Sequence, residues 1–340
     1  MSRPLAAGRL GVALTDGPEL FVWDRGGNPL FTHLCNELPV AVAVQHTAVR
    51  VVDSRGTLLA FGPNGSERER ESVGDRVSDI VASTSDELAI VRPDGVVCAH
   101  AARSNELPVE GAQAACWSSD GSQVAVTCLD GRFAVMDREG KSIAVLQLDG
   151  RAAGLCAGWN GDWFVTVGST VVRMARDGSA VRNVLPVGGR CGPPVVSGPL
   201  LAVPVHKDRV WLYDVAGEKA LGSVTTRRSI VGATFVGPSE LWVAVDDGEV
   251  ARVELTTGEV SRVEAHRGRE RATVALSVEF DAAAVRGALA NARTGGKSVA
   301  TFVPSQADSR AWWLGLGVIG GGVMLLCCGC GGVGALWKLM

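Results

Sequence analysis

Lysine is scarce in this chain of 340 residues: Lys141, Lys207, Lys219, Lys297 and Lys338 are all it has. The basic residues are skewed to Arg, which points to a GC-rich, bacterial genome rather than to a binding surface. Formal net charge is −3 with acids and bases interspersed. No basic field exists to hold nucleic acid, so a nucleic-acid partner is not expected. The N-terminal stretch has no apolar run long enough for a secretory signal, and the soluble part is expected to stay on the side where it is made. Neither the spacing of the first six cysteines nor any nearby histidine pair suggests a zinc site. Cys35, Cys98, Cys116, Cys128, Cys156 and Cys191 are scattered singly through apolar, strand-like stretches and read as buried, reduced thiols. No calcium loop of the Asp-x-Asp-x-Asp-Gly kind and no Gly-x-Ser-x-Gly elbow occurs. Gly295-Gly296-Lys297-Ser298 is not a phosphate loop, because the leading Gly position is Asn291 and the quartet follows a helical stretch. No constellation for catalysis emerges. The expectation is a non-enzyme without cofactor or metal.

Long hydrophobic runs are also missing until the end. Leu314 to Leu336 then gives 23 consecutive uncharged residues, about 35 Å as a helix against a hydrocarbon core of about 30 Å. Trp312 and Trp313 at one end and Trp337 at the other would sit at the two headgroup levels. A single transmembrane helix is therefore expected over 312–337. Arg293, Lys297 and Arg310 precede the span and only Lys338 follows, which places the N-terminal side in the cytoplasm. The span is glycine-rich. Gly317 and Gly321 are four residues apart, as are Cys330 and Gly334, so small faces recur on neighbouring turns. Such faces let helices approach closely in lipid, for self-association or docking on a partner helix; compositional drift in a plain anchor is the alternative. Cys327, Cys328 and Cys330 lie within the apolar run and read as small fillers.

What the chain has in abundance is repetition. Seven segments share an apolar strand, an acidic or polar residue and a glycine turn, ending at Gly26, Gly56, Gly95, Gly140, Gly178, Gly217 and Gly258. The intervals are 30, 39, 45, 38, 39 and 41 residues, a mean near 39, close to the period of a four-stranded propeller blade. Blade four is the clearest, with apolar runs separated by Asp120-Gly121 and Asp130-Gly131. Asp-Gly between apolar runs signals a hairpin, since glycine supplies the positive φ of the primed turns. Thr15-Asp16-Gly17, Asn160-Gly161-Asp162 and Asp246-Asp247-Gly248 keep the same rhythm.

Val22-Trp23-Asp24, Trp211-Leu212-Tyr213-Asp214 and the turn Trp117-Ser118-Ser119-Asp120-Gly121 resemble elements of WD40-like β-propellers. The resemblance covers residues 1 to about 280. The Gly-His element of full WD repeats is absent, so the implied fold is a degenerate propeller, WD40-like or quinoprotein-like.

The expected architecture is all-β: a seven-bladed propeller of four-stranded antiparallel blades over 1–280, a short helix over 281–293, a linker over 294–310, and the membrane helix. Blade one has room for three strands, Leu10 to Leu14, Glu19 to Trp23 and Pro29 to Thr32. A spare strand, Arg271 to Glu279, is expected to complete it and close the ring. His46 and His206 fall in turns read as equivalent in blades two and six, where solvated turn residues are the plainer reading. Trp23, Trp117, Trp159, Trp163, Trp211 and Trp242 read as blade-packing residues. The leading functional expectation is a membrane-anchored scaffold that presents a ring face to a protein partner. The alternatives are a ligand-binding or enzymatic propeller using its central channel, and a sensor propeller whose glycine-rich helix oligomerises as the effector.

Overall fold

The structure is a computed structural model and describes residues 5–83, 86–100, 103–179, 181–186, 189–205, 208–246, 249–263 and 276–294. Seven antiparallel sheets follow one another along the chain. Blade one is Leu5–Ala7, Val12–Asp16, Glu19–Trp23 and Pro29–Leu34 (β1–β4), and blade two is Pro39–Val44, Val49–Asp53, Thr57–Phe61 and Glu67–Ser72 (β5–β8). Blade three is Asp79–Ala82, Leu88–Arg92, Gly95–His100 and Arg103–Leu107 (β9–β12). Blade four is Ala112–Trp117, Gln123–Cys128, Arg132–Asp137 and Ser142–Gln147 (β13–β16). Blade five is Ala152–Ala157, Trp163–Val167, Thr170–Met174 and Val181–Pro186 (β17–β20). Blade six is Val195–Ser197, Leu200–Val205, Arg209–Asp214 and Lys219–Thr226 (β21–β24). Blade seven is Ile230–Phe235, Glu240–Val245, Glu249–Glu254 and Glu259–Arg262 (β25–β28).

The burial pattern explains the strand types. Second strands are covered on both faces and read as continuous apolar runs, as in Leu200–Val205, where every residue is buried. Outer strands such as β4 alternate half-buried and exposed. The outer strand β8, Glu-Arg-Glu-Arg-Glu-Ser, is exposed throughout, and such charge on a sheet edge discourages a further strand. Among the described residues, seven buried apolar clusters form, one in each seam between neighbouring blades. The stacked sheets thus share cores instead of each having its own.

The fold agrees with the sequence expectation in blade number, strand number and handling of the Asp-Gly turns; Gly121 and Gly131 adopt φ of 68° and 86°. Two details differ. Gly56 and Gly95 close second-to-third-strand turns, whereas Gly26, Gly140, Gly178, Gly217 and Gly258 lie in third-to-fourth-strand turns. That shift of register produces the uneven intervals of 30 and 45. Blade two's true counterpart is Gly65, between β7 and β8.

Ring closure is the second correction. Blade one owns four strands, because Leu5–Ala7 forms the innermost one and pairs with β2. The late strand, β29 (Leu276–Phe280), does not join blade one. It pairs antiparallel with β24 and makes blade six five-stranded. The docking point requires glycine. Gly222 has φ of 124°, and a Cβ there would lie 2.2 Å from the Glu279 carbonyl oxygen. Helix α1 (Ala282–Thr294) follows, capped by Asp281, whose Oδ1 accepts from the N–H groups of Ala283 and Ala284 at 2.8 and 3.2 Å. Val285 and Ala288 of the helix are buried in the cluster between blades six and seven.

Candidate functional site: a bridged ring face and the central channel

First-to-second and third-to-fourth-strand turns all lie on one side of the ring, here face I. The other turns make face II. On face I a side chain crosses every seam. Arg9 of blade one meets His46 Nδ1 of blade two at 3.3 Å. The His46 N–H donates to Asp86 Oδ1 in blade three at 2.6 Å, and Gln45 Nε2 donates to the Asp86 carbonyl at 2.6 Å. Arg138 of blade four pairs with Glu87 of blade three at 3.0 Å. Arg176 of blade five pairs with Asp120 of blade four at 2.5 Å. Arg173 reaches Glu218 of blade six at 3.8 Å. Ser197 Oγ donates to the Gly237 carbonyl of blade seven at 3.0 Å. Arg25 donates to the Val236 carbonyl, joining blade one to blade seven.

Asp120 is the best-served carboxylate of this face. The Ser118 hydroxyl, then the Ser122 N–H and hydroxyl, hold its carboxyl well below the ordinary range, with Arg176 adding to them. Asp120 therefore stays ionised and keeps the seam bridged in neutral and mildly acidic solution. Exposed ion pairs of this kind contribute little stability singly. Their effect is geometric, since turns from seven separate sheets are held as one surface. Beside them Trp159, in the Gly158–Asp162 turn of blade five, is 46% exposed. The blade-packing reading fails for this residue. It stands in a hairpin turn and not on a strand, a position the Gly-Trp-Asn-Gly spacing already indicates.

The first strands surround a central channel of about 920 Å³. Its walls carry short apolar side chains such as Ala6, Ala43, Cys116 and Cys156, with Trp117 and Phe235 toward face I. Among the lining residues Arg190, at the face II mouth, is the one charged side chain. The face I mouth continues into a recess of about 300 Å³ that includes Arg9, Arg25, His46 and Asp86. Cys191, also in the wall, has its thiol pushed up to about 11 by burial, so it is inert at neutral pH. The buried indole N–H of Trp117 has no hydrogen-bond partner among the described residues.

The other residues singled out from sequence are dispersed. His46 lies between the first and second strands of blade two, so its equivalent turn in blade six is the one that joins Ser197 to Leu200, and the pairing with position 206 does not hold. His206 itself lies outside the described residues, as does His266. His33 sits on the outer strand of blade one against the Phe61 ring at 4.4 Å, and burial holds its pKa below the ordinary value. Trp163 and Trp242 are fully buried and Trp23 nearly so, as the packing reading requires. Among the described residues, no three His, Cys, Asp or Glu side chains are grouped to hold a metal. No helix of the described residues is long and apolar enough to cross a membrane. Residues 312–337, with Trp312, Trp313, Gly317, Gly321, Cys330, Gly334 and Trp337, lie outside the described residues.

No protein-family model matches the chain, and no curated protein matches it in sequence. Solved structures do. Hydrazine synthase of Kuenenia stuttgartiensis superposes with a TM-score of 0.64 at 13% identity, over 74% of this chain and 94% of that one. The β-propeller domain of Cps50 (Swd1) from Myceliophteria thermophila gives 0.62 at 9% identity, over 74% and 96%. A chain of the mitotic checkpoint complex gives 0.62 at 13% identity, over 72% and 84%. The class is thereby defined: a seven-bladed β-propeller with four-stranded blades.

Proposed function

We propose that the chain is a non-enzymatic scaffold, held at the cytoplasmic side of a membrane by residues 312–337, which presents face I to a protein partner. The observation that carries this reading is the bridging of face I at all seven seams. A surface fixed before binding loses little conformational freedom on binding. Trp159 supplies an exposed aromatic anchor on that surface, the residue type most often dominant in protein interfaces. Two of the propellers it resembles in fold are a chain of the mitotic checkpoint complex and the Cps50 (Swd1) domain, and assembly into complexes is carried over from the first as analogy. Small faces at Gly317 and Gly321, and at Cys330 and Gly334, would cluster the anchors and raise the effective valency of the scaffold.

The test has two parts. Fractionation of cells expressing the full chain or residues 1–310 should place the first with membranes and the second in the soluble fraction. A photo-crosslinker introduced in place of Trp159 should then trap one protein in stoichiometric amount, and the Trp159→Ala chain should fail to co-purify it. A full-length chain found in the soluble fraction ends the anchoring part, and co-purification indifferent to Trp159 ends the face I part.

A further inference from the structure

We propose that the central channel is a binding site for an apolar monocarboxylate, a medium-chain acyl carboxylate in particular, with its head group on Arg190 and its body between the first strands. At about 920 Å³ the channel is within the range of small-molecule sites, which are mostly apolar with a few placed polar groups. The bore stays open because the wall positions carry mainly Ala, Val, Cys, Leu and Ile; aromatic side chains occur in the lining only near face I, at Trp117 and Phe235. Arg190 is exposed at the opposite mouth and has no hydrogen-bond or ionic partner among the described residues.

Charge selects the ligand class. The lining contains no Asp or Glu to offset Arg190. Low-dielectric walls around one cation concentrate anions at that mouth, and a guanidinium matches a carboxylate with two parallel hydrogen bonds. A dianionic phosphate would bring a second charge without a partner, so one negative charge fits better. The face I mouth is a poorer head-group site: Arg25 already donates to Val236, Arg9 meets His46, and Asp86 stands beside them. At the face II mouth the lining also includes Val231, 41% exposed, and Pro193, which add apolar surface. An apolar body entering past them would gain about fourfold in affinity per methylene until the bore is full.

The experiment uses the full chain in amphipol and dodecanoic acid bearing a diazirine near its terminal methyl group, with the methyl ester as uncharged control. Irradiation followed by peptide mapping should place the label in 112–119, 152–157 and 230–235, with unlabelled dodecanoate competing it away. Arg190→Gln should reduce labelling by the acid at least tenfold and leave the weak labelling by the ester unchanged. Ala157→Phe should block both probes without touching Arg190. It should fold, because Trp117 and Phe235 hold the matching position before the hairpin in blades four and seven, and a thermal melt checks this. Label confined to outer strands or to 311–340 overturns the proposal. So does equal labelling by acid and ester, or labelling by the acid that survives Arg190→Gln.

Discussion

Blade seven is held on its two flanks by different means. Toward blade one, no strand of the described residues crosses the seam. Trp23 and Trp242 meet edge-on at 6.4 Å within a cluster that also holds Leu14, Phe21 and Val250. Arg25 and Arg252 reach across to the Val236 and Gly26 carbonyls, more than two hundred residues away in sequence. Toward blade six the chain doubles back. β29 adds to β24, α1 lies over the buried cluster, and Arg286 donates to the Thr256 carbonyl. The blade six seam is already joined by the short connection from β24 to β25. Among the described residues the closing seam has no such connection and is joined by side chains. The reinforcing elements therefore do not close the ring; they fasten the C-terminal end of the propeller to a seam that is continuous anyway.

Breaking the closing seam should have the largest effect. Trp242→Ala removes a fully buried ring, and stability measured by urea unfolding should fall by about 3–5 kcal/mol. Trp23→Ala added to it should cost less than it does alone, because the two rings touch and their losses overlap. A fall below about 1 kcal/mol for Trp242→Ala would show that the ring is closed elsewhere.

Breaking the strap should cost less and should spare the ring. Val285→Asp puts a carboxylate at a fully buried helix position, and releasing α1 should cost about 2–3 kcal/mol. Limited proteolysis should then cut within 276–294 while the seven blades stay protected. Gly222→Val should give the same cleavage by a different route, through the clash with the Glu279 carbonyl. Blades that become as sensitive as the helix would mean that the strap holds the ring together after all. Below both comes Arg25→Ala, which removes one charged donor across the closing seam. The expected loss is about 1 kcal/mol, measured against the same substitution at Arg286 on the strapped side.

The two flanks also separate what sequence could reveal from what it could not. Asp-Gly turns and apolar runs of five or six residues encode hairpins locally, so blade four was readable residue by residue. Strand Leu5–Ala7 is three residues long and is followed at once by Gly8, too short for alternation to register. With that strand uncounted, blade one lacks a member and the late strand offers itself as the replacement. The pairing of β29 with β24 depends on the bulge at Gly222, a tertiary fit that no periodicity reports. Of the candidate site, the buried Trp23, Trp163 and Trp242 were legible as packing residues. Trp159 is legible only when the Gly-Trp-Asn-Gly spacing is weighed above its aromatic type, since its exposure depends on its place in that turn. Arg190 was invisible for a related reason: nothing in Gly-Gly-Arg-Cys-Gly says that six other blades leave an apolar bore beside it.

An unstrapped, ordinary seam gives the reference for both flanks, and pH can address it alone. Cys98 is buried in the seam between blades three and four. Burial first, and the nearby Glu87 second, push its thiol from 9.0 up to about 12. The fold thus favours the neutral thiol. Its contribution to stability is complete below pH 9 and is lost as pH rises toward 12, because the unfolded chain releases the proton first. Between pH 8 and pH 10 the native chain should lose about 1 kcal/mol more than Cys98→Ala, which has no proton to release there. Cys35 and Cys191, each raised to about 11, remain in both chains and cancel in the difference. Trp242→Ala should show the native chain's full decline over that range, displaced downward, since the closing-seam cluster contains no thiol. Parallel curves for the native chain and Cys98→Ala would mean that the thiol is reached by solvent, and that the ordinary seam is looser than either flank of blade seven.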